Sequence, residues 1–354
     1  MKLWENKEYM EDVRAVAELP LPWEQMENSA VLISGATGLV GSCLVDVLQY
    51  RNRFFGMNCL VYALGRSEEK ARSRFAPYWE SGLLQFIPYD INKPLVRPEI
   101  GTVDYVLHLA SNTHPVAYAT DPIGTITTNI LGTGNMLEFA CAHHARRVAF
   151  TSSNEIYGEN RGDTELFRED YCGYIDSNTL RAGYPESKRC GEALCQAYIR
   201  QKGLDVVLPR PTRSYGPTML MSDTKAISQF IKKAVAGEDI VLKSEGTQFY
   251  SYMYVSDTVS GLLTILLRGE CGEAYNIAEQ RSDITLRDLA AILAETAGRS
   301  VVFELPDAVE AAGYSKATKA RLDGSKLQDL GWFPRYAIRE GLERTVRILK
   351  SEGA

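Results

Sequence analysis

An α/β fold, a doubly wound parallel sheet followed by a smaller, mostly helical C-terminal lobe, is predicted by two features of the sequence. Short apolar runs bounded by glycine alternate with amphipathic stretches through the first 212 residues. The run AVLISG (30–35) passes directly into glycines at Gly35, Gly38 and Gly41. Buried parallel strands read as continuous apolar runs, and the helices between them cover both faces of the sheet. The strand 30–35 leads to a helix over LVGSCLVDVLQYR (39–51), and CLVYALG (59–65) is the second strand. A helix over 67–75 and a strand over 83–90 follow, then strand 104–111, a long helix 124–144 and strand 147–153. Helix 181–203 and strand DVVLPRP (205–211) close the first unit. The pattern then loosens: helix 225–236, strand 240–244 and helices 257–268 and 285–297 are spaced by loops. The expected division is an N-terminal extension (1–28), a dinucleotide-binding unit (29–212) and a lobe (213–354) whose strands are free to return to the main sheet. The extension WENKEYMEDVRAVAELPLPWEQ reads as one amphipathic helix and a proline-broken strap, covering either the first unit or a partner subunit.

Composition narrows the class. The 354 residues are 45% hydrophobic and 24% charged, as in ordinary globular proteins. A net charge of −6 argues against nucleic acid as the main partner. No apolar run reaches the roughly 18 residues of a membrane span, and the charged, proline-broken start does not read as a signal peptide. Seven scattered cysteines without CxxC or metal spacing point to a reducing cytoplasm and no metal site. Cys190 and Cys195, near the motif discussed below, are weak candidates for a nucleophile.

The glycine turn lies between a strand and a helix, the context a dinucleotide fingerprint requires. Gly35 permits the tight turn, Gly38 lets a pyrophosphate reach the backbone, and Gly41 lets the helix pack closely. Free N–H groups at the helix mouth would receive the phosphates. At the end of the second strand an acid would grip the ribose of NAD, but the stretch is ALGRS, with Gly65 and Arg66. Arg66 suits a 2′-phosphate and tilts the expected cofactor, NAD or NADP, toward NADP. Asp90 and Ile91, after the third strand, are placed to meet the adenine edge or simply to form a turn.

Tyr184 and Lys188, in YPESK, are four residues apart and share a helix face. Pro185 confines Tyr184 to the first helical turn. A lysine beside the phenol, with a cationic nicotinamide nearby, is expected to lower its pKa from about 10. The tyrosinate then takes a hydroxyl proton while hydride leaves to the cofactor. TSSNEIYGE (151–159) follows the fifth strand, and Ser153 and Glu155 in it are candidate site residues.

With SGATGLVG, HLAS (108–111), TSSNEIYGE, YPESK, RPTRSYGP (210–217), YVSD (254–257) and YNIA (275–278), the sequence resembles the extended short-chain dehydrogenase/reductases of the nucleotide-sugar epimerase/dehydratase type. It is similar in particular to UDP-glucuronate decarboxylases and dTDP-glucose 4,6-dehydratases. The resemblance implies a Rossmann unit holding NAD(P) that transiently oxidises a sugar carbon, usually C4, and a homodimer built on helices 124–144 and 181–203. It assigns catalysis to Ser153, Glu155, Tyr184 and Lys188. It lines the cofactor with Gly35, Thr37, Gly38, Leu39, Val40, Gly41, Leu109, Ala110 and Ser111, besides Arg66, Asp90, Ile91, Tyr184 and Lys188. It turns Thr113, Ser153, Asn154, Arg213, Lys225 and Tyr250 toward a nucleotide-diphosphate sugar. His108 is expected to pack structurally under the cofactor loop.

Three departures qualify that implication. Asn154 replaces the aspartate that serves the dehydratases as acid, which puts 4,6-dehydration in doubt. Tyr250 replaces an arginine that grips phosphate or assists at the sugar carboxylate of decarboxylases. Arg213 stands where asparagine is common, and is expected to supply the missing phosphate contact. The leading expectation is a redox-neutral nucleotide-sugar epimerase or dehydratase. A decarboxylase-like enzyme and a net NADPH-dependent keto-sugar reductase are the alternatives. A non-catalytic NADP sensor is disfavoured by the intact Ser153, Tyr184 and Lys188 set.

Overall fold

The computed structural model describes residues 2–113, 115–304 and 318–353. The first unit supplies strands β1 (Ala30–Ser34), β2 (Leu60–Gly65), β3 (Leu84–Pro88), β4 (Tyr105–His108), β5 (Arg147–Phe150) and β6 (Val206–Pro211). The lobe contributes β7 (Arg213–Tyr215), β8 (Ile240–Leu242) and β9 (Phe249–Tyr254) before the chain returns to the main sheet as β10 (Ala274–Ile277). The main sheet has seven parallel strands in the order β10-β6-β5-β4-β1-β2-β3. The expected parallel sheet is therefore present, and the strand order reverses at β1, where such sheets open a crevice at the carboxyl ends of their strands.

The helices are α1 (Lys7–Ala17), α2 (Leu39–Phe55), α3 (Glu68–Arg74), α4 (Pro115–Thr120), α5 (Pro122–Ala142), α6 (Gly183–Lys202), α7 (Ala226–Ala236), α8 (Val255–Arg268), α9 (Leu286–Ala297) and a C-terminal helix, Ile338–Ser351. Side chains alternate across the sheet. Val31 and Ile33 of β1 join a core with Val13 of α1, Leu44 and Leu48 of α2 and Val259 and Leu263 of α8. Leu32 between them faces Met136, Leu137 and Phe139 of α5 and Cys195 of α6. A third cluster, with Phe230 and Ile231 of α7, Leu289 and Leu293 of α9 and Tyr252 of β9, fills the lobe. Residues 255–277, in the middle of the expected lobe, pack as part of the main sheet layer, because α8 covers the face that α2 leaves open. Among the described residues no helix is long and apolar enough to cross a membrane.

The N-terminal extension covers its own subunit. Asn6 caps α1 by accepting from the Tyr9 N–H, and one face of the helix then packs between α2, α8 and the C-terminal helix. Asp12, 1% exposed, accepts from Tyr254 Oη at 2.8 Å, Tyr336 Oη at 2.6 Å and Arg344 Nε at 2.9 Å. One turn earlier, Tyr9 donates to Asp46 of α2, which also pairs with Arg74. Two buried carboxylates thus tie the extension to the body of the fold.

Candidate active site

The glycine turn closes the crevice floor. Gly35 has φ +72°, open to glycine at little cost, and a Cβ there would lie 2.9 Å from the Ala110 nitrogen. A Cβ at Gly41 would stand 2.3 Å from the Gly35 carbonyl oxygen, so this glycine brings α2 against the turn itself rather than against the strand. A Cβ at Gly38 would have only the Gly35 oxygen, at 3.2 Å, within 4 Å. The backbone there faces an open approach, as a pyrophosphate cradle requires. Leu39 and Val40 begin α2 and pack on the core beneath it, and the Leu39 carbonyl accepts from Thr218 Oγ1 of the lobe at 2.7 Å. Thr37 sits across from Gly65 at the end of β2.

Ser34 joins two loops at the base of the crevice. Its hydroxyl lies 2.7 Å from His108 Nδ1 and accepts from the Ala110 N–H at 3.3 Å. His108 is buried, and its position under Leu109, Ala110 and Ser111 agrees with a structural role. Burial, with Lys188 adding to it, pushes its pKa down to about 3. The unfolded chain binds a proton near pH 6.5 that the native state refuses, so this group costs stability as pH falls from 6.5 toward 3. In His108→Asn that component disappears. Between pH 7 and pH 5 the wild type is expected to lose about 2 kcal/mol more than the variant in urea unfolding. Equal losses would refute it.

Arg66 is exposed just past β2 and makes no hydrogen bond or ion pair among the described residues. Asp90, also exposed, accepts from the Asn92 N–H at 3.1 Å, the turn-forming arrangement. Ile91 packs against Gly132 of α5, and its carbonyl accepts from Asn135 at 2.8 Å.

Tyr184 lies in the first turn of α6, buried beside Ser153 and Ser111. A polar chain fixes it. Ser111 donates to Asn129 Oδ1 at 2.7 Å, Asn129 donates to Ser187 at 2.8 Å, and Ser187 donates to the Tyr184 carbonyl at 2.8 Å. Ser153 also caps the short turn Asn154–Tyr157, accepting from the Glu155 N–H at 3.1 Å. The chain's own groups do not by themselves give the lowering expected of the phenol beside a nicotinamide cation. Burial, reinforced by Glu155, pushes Tyr184 up to about 12, against the opposing pull of Ser153, Arg181 and Ser111. Lys188 is turned beneath the site, donating to the Thr151 carbonyl at 2.9 Å with Nζ 5.1 Å from the Phe150 ring centroid. Burial lowers its own pKa to about 8, so the charge expected to act on the phenol is itself weakened.

Two residues outside the expected set complete this end. Arg181, three residues before Tyr184, donates to Glu155 Oε2 at 2.6 Å. Its guanidinium stands 4.7 Å from the ring of Tyr118 on α4, which packs on Tyr184 at 5.0 Å. Arg181 was legible as a cation one turn before the tyrosine, whereas Tyr118 lies 66 residues away in a stretch with no motif. On the lobe side, Lys225 donates to Asp223 Oδ2 at 3.0 Å and to Thr113 Oγ1 at 3.1 Å, spanning the crevice. Arg213 lies over the ring of Tyr250 at 3.6 Å from its centroid. Asn154 is buried beside Ser153. Cys195 is buried in the core and Cys190 is exposed on α6.

A nicotinamide dinucleotide fits what this chain offers: a glycine cradle at a helix mouth, and a tyrosine, lysine and serine set beside it. The family model of the NAD-dependent epimerase/dehydratase family matches residues 31–278, most of the chain and all of these elements. The chain belongs to that family. Relatives in this enzyme family include UDP-glucuronic acid decarboxylase 3 of Arabidopsis thaliana, 32% identical over 316 residues, which cover 89% of this chain and 87% of the relative. UDP-glucuronic acid decarboxylase 1 of Danio rerio is 31% identical over 93% of this chain and 74% of its own length. Among solved structures, DesIV, a dTDP-glucose 4,6-dehydratase of Streptomyces venezuelae with NAD bound, superposes with a TM-score of 0.79 at 26% identity, over 91% of this chain and 97% of DesIV. The UDP-glucuronic acid 4-epimerase of Bacillus cereus shares the fold, with a TM-score of 0.78 at 22% identity, over 91% of this chain and 99% of that one. Several motifs shared with this family turn out to be joints of the fold. Arg210 pairs with Glu192 and donates to Tyr157, Tyr157 donates to Asn276, and Asp257 receives the N–H groups of Arg335 and Tyr336.

Proposed function

We propose that this enzyme converts a nucleotide-diphosphate sugar through a transient ketone, usually at C4, and restores its cofactor within each turnover. The observation that carries the reading is the buried Tyr184 phenol beside Ser153, with Lys188 one turn on the same helix and the glycine turn at the mouth of α2. When bound, the nicotinamide supplies a hydride acceptor. Tyr184 takes the proton of the reacting hydroxyl and Ser153 holds its oxygen. Lys188, charged in part near neutrality, favours the tyrosinate, and Thr113, Asn154, Arg213, Lys225 and Tyr250 surround the substrate. Asn154 has no acidic proton to give a departing hydroxyl. Within the class, the reading therefore turns toward epimerisation or loss of carbon dioxide, the latter in keeping with the decarboxylase relatives.

The test is native mass spectrometry of freshly purified protein, followed by identification of the released dinucleotide. Retained NAD is the expected result, as in the DesIV complex. A second reading, a net NADP-linked reductase, is favoured by the exposed Arg66, which has no ion pair among the described residues. Empty protein that binds NADPH reversibly would establish it. We also propose a homodimer through α5 and α6. Ile123 and Leu131 of α5 and Leu180 just before α6 are 76%, 51% and 66% exposed, while Met136 belongs to the core. Light scattering should give twice the mass of the chain, and a monomer would refute the dimer.

A further inference from the structure

Arg181 and Glu155 form an ion pair at the reacting end of the crevice, and one aromatic ring joins that pair to Tyr184. Arg181 lies in a turn of 3-10 helix, Leu180–Ala182, that runs directly into α6. Its Nη2 donates to Glu155 Oε2 at 2.6 Å, and the two side chains are 16% and 21% exposed. Its Nε is buried without a hydrogen-bond partner, and Glu155 is its one carboxylate partner among the described residues. A guanidinium and a carboxylate so far from water each need the other. Glu155 is held at both ends, its backbone N–H donating to Ser153 Oγ at 3.1 Å and its carboxylate meeting Arg181.

Tyr118 brings the pair up to the reacting phenol. Its ring centroid lies 4.7 Å from the Arg181 guanidinium carbon and 5.0 Å from the Tyr184 ring centroid. Both tyrosines are 6% exposed, so little water screens a charge placed here. The other titratable and charged groups near this end have partners or are neutral. Lys188, one turn on along α6, donates to the Thr151 carbonyl. From the lobe, Asp223 and Lys225 pair with each other at 3.0 Å, and Arg213 lies over the Tyr250 ring of β9. Burial raises the phenols of Tyr118 and Tyr250, which keeps both uncharged near neutrality. Ionising Tyr184 therefore adds a negative charge beside Glu155. Burial is the first obstacle, Glu155 adds to it, and Arg181 is among the groups that oppose it.

We propose that Arg181 is a positioning residue of this site: it fixes the Glu155 carboxylate and cancels its charge, and so leaves Tyr184 able to give up its proton. This deepens the function proposed above and rests on its reading of Tyr184 as the base.

Fluorine NMR over a pH series tests it, with 3,5-difluorotyrosine placed at position 184 alone in the protein as purified. The two fluorines make the phenol acidic enough to titrate while the fold is intact. The midpoint should rise by about one to two pH units in Arg181→Met and fall by about as much in Glu155→Gln. It should return to within about half a unit of the parent when both substitutions are combined. Arg181→Lys keeps the charge and should stay near the parent. An arginine that only supports the loop would leave the midpoint unmoved, or would displace Arg181→Met and the double variant alike, and either result overturns the proposal. Should Arg181→Met not fold, Glu155→Gln decides alone, and an unmoved midpoint there overturns it. The titration needs no substrate, so such a failure leaves the nucleotide-sugar reading standing. Normal turnover in Tyr184→Phe, in contrast, removes the base from the mechanism and this inference with it.

Discussion

Tyr184→Phe is expected to lower turnover by about 10²–10⁴-fold, the range of a positioned general acid or base. The substitution removes one oxygen and little else. The ring keeps its packing at 5.0 Å from Tyr118, and Ser187 still donates to the backbone carbonyl of residue 184. Ser153 and Ser111 keep the partners they have, the Glu155 N–H and Asn129 Oδ1. The variant should therefore melt close to the wild type, retain its dinucleotide, and fail at chemistry. Turnover within 10-fold of wild type would move the proton transfer to another group and leave Tyr184 a packing residue. Measuring melting and dinucleotide content on the same sample separates a chemical defect from a folding one.

The second large effect concerns stability, far from the crevice. Asp12→Ala is expected to destabilise the fold by about 3 kcal/mol, the low end for breaking a buried ion pair, because Glu11 at 3.2 Å and Glu8 at 3.7 Å still face Arg344. Arg344 loses the carboxylate at 2.9 Å, and the Tyr254 and Tyr336 hydroxyls lose their acceptor. Urea unfolding measures the loss. Arg344→Met in the Asp12→Ala background should recover part of it, because no charge is then stranded. A loss under about 1 kcal/mol would mean that water reaches the cluster and that the network contributes little.

The architecture was legible because buried parallel strands leave a strong signature. Leu32, Val106, Val148 and Val206 are apolar on both sides of each strand, and the strands predicted around them differ from those observed by a few terminal residues. The return of β10 to the sheet was legible only as an open alternative, since AYNI is short and its partner β6 lies more than 60 residues earlier. At the site, residues fixed by local pattern were readable: the glycines by spacing, Tyr184 and Lys188 by helical phase. Residues brought in by tertiary packing were not. Tyr118 and Asn129 reach Tyr184 only because α4 and α5 fold against α6. Spacing alone does not set the acidity of Tyr184. Spacing placed Lys188 on the same face, but burial acts on both groups and opposes each charge.

The extension that carries Asp12 has a consequence for how the polypeptide is made. Its counter-ion, Arg344, lies 332 residues downstream, and the Lys2 nitrogen and the Asn6 side chain meet Glu352 and Ser351 at the far end of the chain. Helix α1 is thus synthesised well before one of the elements that seat it. At about 5–20 residues per second, Asp12 waits roughly 17–66 s for this counter-ion, while α2 and α8, which cover most of the apolar face of α1, are made earlier. Synthesis of the helix Ile338–Ser351 then brings Arg344 to Asp12.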